Sequence, residues 1–271
     1  MDLFELTIIV IGSLLCFEPC GKFYMGICLS HFAVSLIVGV NITAQVPITV
    51  HFDHGTSKLE LMEAIVLHTS SYIMEWYSFM IVKSQGFDSL MVDGSHLPFK
   101  DNISHTKYIS FLAHSKGMLV EAELGRLSGT EDGLTVEDYE AKLTDVNQAE
   151  EFIDETDIDA LAVCIGNVHG KYPSSGPNLK LDLLKDLHAL SSKKGVLLVL
   201  HGASGLSAEL IKGCIERGVR KFNVNTEVRK AYMDSLSRPK SDLIHLMASA
   251  KEAMKAVVAE KMRLFGSSGK A

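Results

Sequence analysis

From Val46 to the carboxyl end, the chain alternates short apolar runs with longer polar segments whose apolar residues return at helical intervals. The runs Ile48 to Phe52, Ser89 to Val92, Leu119 to Leu124, Ala160 to Ile165, Val196 to Leu200 and Val219 to Val224 are rich in Val, Ile and Leu, the texture of parallel strands covered on both faces. Between them, Leu179 to Lys193 and Ala208 to Arg217 read as helices, the second stopped by Gly218. A terminal helix is predicted over Asp242 to Phe265, where Leu246, Ala250, Met254 and Val257 recur at helical spacing before Gly266. Strands alternating with helices, at roughly the thirty-residue spacing of a βαβ unit, predict an α/β fold with a parallel sheet. Six such units are legible, whereas a (β/α)8 TIM barrel has eight strands. Two must come from residues 1 to 46 or be absent.

The amino end has a different texture. No Asp, Glu, Lys or Arg lies between Phe23 and Phe52, and Ile27 to Val46 is long enough to cross a bilayer. Asn41, Gln45, the glycines Gly26 and Gly39 of the uncharged stretch, and the absence of aromatic belts or a basic flank argue against a membrane span. Leu6 to Phe17 has the length of a signal-peptide core, yet the leader carries Asp2 and Glu5 and no basic residue. A cytoplasmic location is therefore expected, and the sequons at Asn41 and Asn102 carry no weight. With 271 residues, 47% hydrophobic and 22% charged, the chain can bury a sizeable core and reads as one domain. Its net charge of −7 argues against nucleic acid as a partner. Five scattered cysteines imply no disulfide framework.

Three histidines are each followed by glycine, and each sits just past a strand or strand-like run: His54, His169 and His201. In a barrel the carboxyl ends of all strands open on one face, so side chains distant in sequence can meet there. Three imidazoles with an open fourth position form a catalytic zinc arrangement. Any one of them alone reads better as a satisfied turn or core residue. Asp53 precedes His54; strand alternation sends neighbours to opposite sides, although strand ends often break that rule. It reads equally as a proton-transfer carboxylate or as a partner of the metal ligands or helix cap. Leu198 to Gly205, LVLHGASG, and the run KFNVNT have the small residues of an anion nest on what would be strands seven and eight, where barrels place phosphate. Ser204, Asn223 and Thr226 fall there; two ordinary Gly and Asn turns are the bland alternative.

The ordered set HFDHG, MVDGSHLPF, VEAELGRLSGTEDGLT, AVCIGNVHGKY, LVLHGASG and KFNVNT resembles the class II, zinc-dependent ketose-bisphosphate aldolases, of fructose and tagatose type, from about Val46 onward. The resemblance implies a (β/α)8 TIM barrel and reversible aldol cleavage of a phosphorylated ketose to dihydroxyacetone phosphate and an aldehyde. It implies His54, His169 and His201 as zinc ligands, with Asp93 and Glu123 near the metal or holding a second, monovalent cation. Asp53 takes the role of catalytic acid and base, and Glu131, in the loop TEDG, that of proton transfer beside the carbonyl. Gly170, Gly202, Ala203, Ser204, Asn223, Val224, Asn225 and Thr226 fall on the cradle for the dihydroxyacetone-phosphate half. A homo-oligomer is implied as well.

Ala203 stands where many members have Gly, and Asn225 where fructose-type members often have Asp, which leaves the sugar open. Residues 1 to 45 replace the two amino-terminal βα units, so the barrel is expected to be incomplete or altered there. A second departure inserts about residues 66 to 85, VLHTSSYIMEWYSFMIVKSQ, with the single tryptophan, Trp76. Both departures read as an unspliced intron or altered gene model, ahead of a lengthened outer helix. The rival readings are a barrel fragment without catalysis and another metal-dependent barrel enzyme, such as a hydrolase.

Overall fold

The computed structural model describes residues 49–69, 87–131, 134–137, 140–237 and 242–269. The segment 1 to 45 and most of the 66 to 85 stretch lie outside the described residues. The chain divides into two compact units. One runs to Leu124 and includes Glu150–Leu161; the other contains Gly125–Ala149 and Ala162–Ala271.

The amino-terminal unit contains β1 (His51–Gly55), α1 (Lys58–Thr69), β2 (Ser89–Val92), α2 (Phe99–His114) and β3 (Leu119–Leu124). Its strands pair in parallel in the order β1-β2-β3. Every residue of β2, and β3 beyond Leu119, is buried, which is why these strands are continuously apolar apart from Ser89, Glu121 and Glu123. A capping box starts α1: the Ser57 hydroxyl accepts the Glu60 amide at 3.3 Å, and the Glu60 carboxylate accepts the Ser57 amide at 3.1 Å.

The first strand differs from its expected bounds. It covers His51–Gly55 rather than Ile48 to Phe52, so His54 lies inside the strand and not just past it. The cause is pairing with β2. Phe52 opposes Leu90 while Gly55 opposes Val92, so β1 carries one extra residue there and bulges. Local composition does not reveal such a register.

Chain order continues with β4 (Ser128–Glu131), β5 (Leu134–Val136), α3 (Val146–Thr156), β6 (Ala160–Val163), β7 (Val168–His169), α4 (Leu181–Lys193), β8 (Leu197–Leu200), α5 (Ala208–Glu216), β9 (Val219–Phe222), α6 (Thr226–Leu236) and α7 (Leu243–Leu264). Helix α3 and strand β6 each cross from one unit to the other. Within the carboxy-terminal unit β8 and β9 pair in parallel. The strands β4, β5 and β7 form a separate three-stranded sheet, order β5-β4-β7. This small sheet corrects the placement of Glu131 in a loop: it closes β4, paired with Leu134 across an antiparallel hairpin. Such short strands leave no periodic trace in the sequence. All six expected parallel strands and the three expected helices are present among the described residues, with ends shifted by up to three residues. The core is aliphatic, including Leu61, Leu90, Met91, Leu161, Leu184, Leu198 and Leu200. Among the described residues no helix is long and apolar enough to cross a membrane.

Candidate functional site

The chemistry of the amino-terminal unit gathers on β1, β2 and β3. His54 has φ of 50°, a left-handed conformation unusual for a residue with a Cβ. Bulge and left-handed turn together break the alternation that would send Asp53 and His54 to opposite sides. His54 Nδ1 lies 2.9 Å from the Asp93 carboxylate, and His54, Asp93 and Glu123 bring one ligand atom each within 4.8 Å of one another. Directly beside them, His51, Asp53 and Glu121 form a second such group. Glu121 and Glu123 share a face of β3 because they stand two residues apart. His51 Nδ1 is 2.7 Å from the Ser89 hydroxyl, and its Nε2 is 3.6 Å from both Asp53 and Glu121.

Four carboxylates and two imidazoles in so small a volume perturb one another. Burial alone would lower the His54 pKa, but the Asp53 charge, the Asp93 hydrogen bond and the charges of Glu123 and Asp93 outweigh it and raise it to about 10. Burial alone would raise Asp93, but its bonds from His54 and Ser95 hold it far below the ordinary carboxylate range. Glu123 is pushed well above its ordinary value, first by burial and then by the Asp93 charge. These residue types can hold a cation. Glu123 Oε2 is buried with no hydrogen-bond partner, and a mixed nitrogen and oxygen donor set of this kind fits a divalent ion such as zinc.

The carboxy-terminal unit positions the remaining predicted residues. His169 ends β7, opposite Gly129 of β4, and His201 follows β8, 1% exposed. Their rings stack with centroids 5.9 Å apart. The Asn167 side chain braces this region: its amide donates to the His201 carbonyl at 3.0 Å, and its oxygen accepts the Ile165 amide at 2.8 Å. Asn223 brings its amide within 3.2 Å of a His201 ring nitrogen, while buried Lys221 donates to the Asn223 oxygen at 2.8 Å.

The two predicted phosphate loops are tied together. The Ala203 amide donates to the Asn223 carbonyl at 3.0 Å. Glu227 donates its amide to the Ser204 hydroxyl at 3.4 Å and accepts the Gly205 amide at 2.9 Å. Ala203 and Val224 are 0% exposed, so they belong to the packing beneath the loops. Asn225 and Thr226 are half-buried at the start of α6, and Gly170 follows β7. Two of the glycines after the histidines serve different ends. Gly55 is required by packing, since a Cβ there would meet Leu61 at 2.4 Å. Gly202, at φ of 65°, would bring a Cβ within 2.0 Å of the Val168 carbonyl. Gly202→Ala is therefore expected to lower stability by roughly 1–3 kcal/mol, read as a lower urea midpoint at unchanged slope; an unchanged midpoint would show that this backbone is not held as described.

Sequence reading missed His51 and Glu121, although both lie two residues from a named carboxylate on the same strand, a legible signal. Glu227 was also missed, despite following Thr226 directly. Lys261, which pairs with Glu227, stands far along the chain with no local mark.

The family model described as "Fructose-bisphosphate aldolase class-II" matches residues 14–270. A 6-phospho-5-dehydro-2-deoxy-D-gluconate aldolase of Bacillus velezensis is 38% identical over 247 residues, 88% of this chain and 77% of the relative. A fructose-bisphosphate aldolase of Staphylococcus aureus is 36% identical over 242 residues, 87% of this chain and 76% of the relative. The crystal structure of the YdjI aldolase from Escherichia coli K12 superposes with a TM-score of 0.71 at 35% identity, covering 89% of this chain and 78% of that one.

Proposed function

The chain belongs to the class II fructose-bisphosphate aldolase family, and on that premise we propose that it performs zinc-dependent, reversible aldol cleavage of a phosphorylated ketose to dihydroxyacetone phosphate and an aldehyde. The observation that carries this reading is the juxtaposition, around the bulge of β1, of the candidate cation group His54, Asp93 and Glu123 with a further carboxylate, Asp53. In this reading His54, His169 and His201 hold the zinc ion, while Asp93 and Glu123 stand beside it or take a monovalent cation. When bound, zinc supplies a Lewis acid that polarises the substrate ketone, so no lysine Schiff base is needed. Asp53 takes the proton of the C4 hydroxyl as the C3–C4 bond breaks and returns it to the aldehyde oxygen in condensation. Glu131 handles the proton at the carbon beside the carbonyl. Gly170, Gly202, Ser204, Asn223, Asn225 and Thr226 hold the phosphate end, with Ala203 and Val224 as its backbone support, which orients the reacting carbons. The protein is taken to be a cytoplasmic homo-oligomer with no nucleic-acid or membrane partner.

The names of the two relatives narrow the substrate class. Both substrates carry a ketone next to a phosphorylated carbon, and they differ at the far end, a second phosphate in one and a carboxylate in the other. The test is the release of dihydroxyacetone phosphate from fructose 1,6-bisphosphate, tagatose 1,6-bisphosphate and 6-phospho-5-dehydro-2-deoxy-D-gluconate by monodisperse protein of measured zinc content. Release from at least one is expected; zinc-loaded protein inert toward all three would favour the fragment reading.

Metal loading has a proton signature. Histidine ligates only when neutral, and metal-free His54 keeps its proton up to about pH 10. Zinc added to chelator-stripped protein near neutral pH should therefore release about one proton per ion from this residue, visible by calorimetry in buffers of different ionisation enthalpy. Zinc binding with no proton release would remove His54 from the ligand set. By the same sign, the raised pKa stabilises metal-free protein fully below the unfolded value of 6.5 and ceases to do so as pH rises through about 10.

A further inference from the structure

Resting on the phosphate cradle assigned above, we infer that Glu227 and Lys261 are a positioning pair for that cradle, in which Lys261 cancels the charge of a carboxylate that holds the loop in shape. Glu227 lies in the first turn of α6, next to Thr226. One carboxylate oxygen accepts the Gly205 amide at 2.9 Å, and the other lies 2.5 Å from Lys261 Nζ. Its own amide donates to the Ser204 hydroxyl. One residue thus links the loop after β8 to the loop after β9 twice, by side chain and by backbone.

Lys261, in the last turn of α7, is 7% exposed, and lysine is almost never so buried unless paired. The carboxyl end of α7 is anchored in the same region, since Phe265 stacks on Phe222 of β9 with centroids 4.7 Å apart. The terminal helix therefore delivers a fixed cation to the back of the phosphate loops.

A carboxylate is a poor neighbour for a phosphate, because both are anions in a partly desolvated place. Glu227 is nonetheless the acceptor that holds the Gly205 amide. Paired with Lys261, it keeps that geometry without presenting net negative charge to the ligand. A phosphate ester would feel the full carboxylate once the lysine is removed.

The experiment is a charge-swap series on the full-length, zinc-loaded protein, read by calorimetric titration of inorganic phosphate and by KM and kcat for cleavage. Lys261→Met keeps the length of the side chain and leaves Glu227 unpaired; the phosphate Kd and KM should rise about ten-fold, the equivalent of about 1.4 kcal/mol, while kcat and zinc content hold. The double variant K261M/E227Q retains an oxygen acceptor for Gly205 and removes the stranded charge, so it should bind phosphate at least about three-fold tighter than K261M, roughly half of that loss recovered. A packing role for Lys261 alone predicts no such rescue. Unchanged phosphate affinity in K261M, a double variant no better than K261M, or a wild-type protein that does not bind phosphate at all would each overturn the inference. A wild type that binds phosphate yet cleaves no ketose phosphate would sink the aldolase reading alone, and the series would still decide the role of the pair.

Discussion

Asp53→Ala should leave zinc content at its wild-type level and lower kcat for cleavage by about a hundred- to ten-thousand-fold, the usual worth of a positioned acid or base. Two features separate this residue from the proposed ligands around it. It stands on the bulge of β1 with its carboxylate 3.6 Å from His51, which is itself bonded to Ser89, so its orientation is set from outside the cation group. And although Asp53 is the foremost charge raising His54, Asp93 and Glu123 raise it too. The carboxyl groups of Asp93 and Glu123 therefore remain beside His54 when Asp53 is lost. KM should change little, because substrate binding is assigned to the phosphate cradle. The check is zinc per chain by atomic absorption alongside steady-state kinetics, with Asp53→Asn as a variant that preserves size. Turnover equal to wild type in either variant would refute the assigned mechanism. Loss of zinc together with turnover would move Asp53 into the ligand set.

His201→Ala should abolish zinc binding and activity together, because it removes one of three proposed imidazole ligands. The fold is expected to persist. The groups that brace this position bind the backbone: the Asn167 amide donates to the His201 carbonyl, and alanine keeps that carbonyl. What is lost is the ring, including its stacking on His169 and its contact with Asn223. Zinc stoichiometry by atomic absorption, beside a circular dichroism melt, separates the outcomes. Full zinc occupancy in a folded variant would contradict the ligand assignment. A melt showing no cooperative transition would instead assign His201 to the core.

Much of the fold is legible in the sequence, and particular residues show why. Leu90 to Val92 of β2 and Leu198 to Leu200 of β8 are buried runs whose continuous hydrophobicity is a local property. Gly218 stops α5 where its sequence says it should, at φ of 93°. The hairpin of β4 and β5 was not legible, since its strands are three and four residues long and too short for a period to register. Nor was the true extent of β1, whose boundary depends on what β2 offers as a partner.

The candidate site divides in the same way. Histidine followed by glycine three times, the carboxylate before the first of them and the small polar loops after β8 and β9 are determined by the sequence alone, because residue type and chain order carry them. Together with MVDGSHLPF and VEAELGRLSGTEDGLT they carried the resemblance to the family. Only the tertiary structure decided that Asp53 and His54 stand in two adjoining groups of carboxylates and imidazoles, because a bulge set by cross-strand register interrupts the two-residue alternation of a strand. It alone paired Glu121 with His51, and Lys261 with Glu227 across 34 positions of chain. Contacts of that kind are made by the packing of distant segments, and no local pattern of hydrophobic and polar residues encodes them.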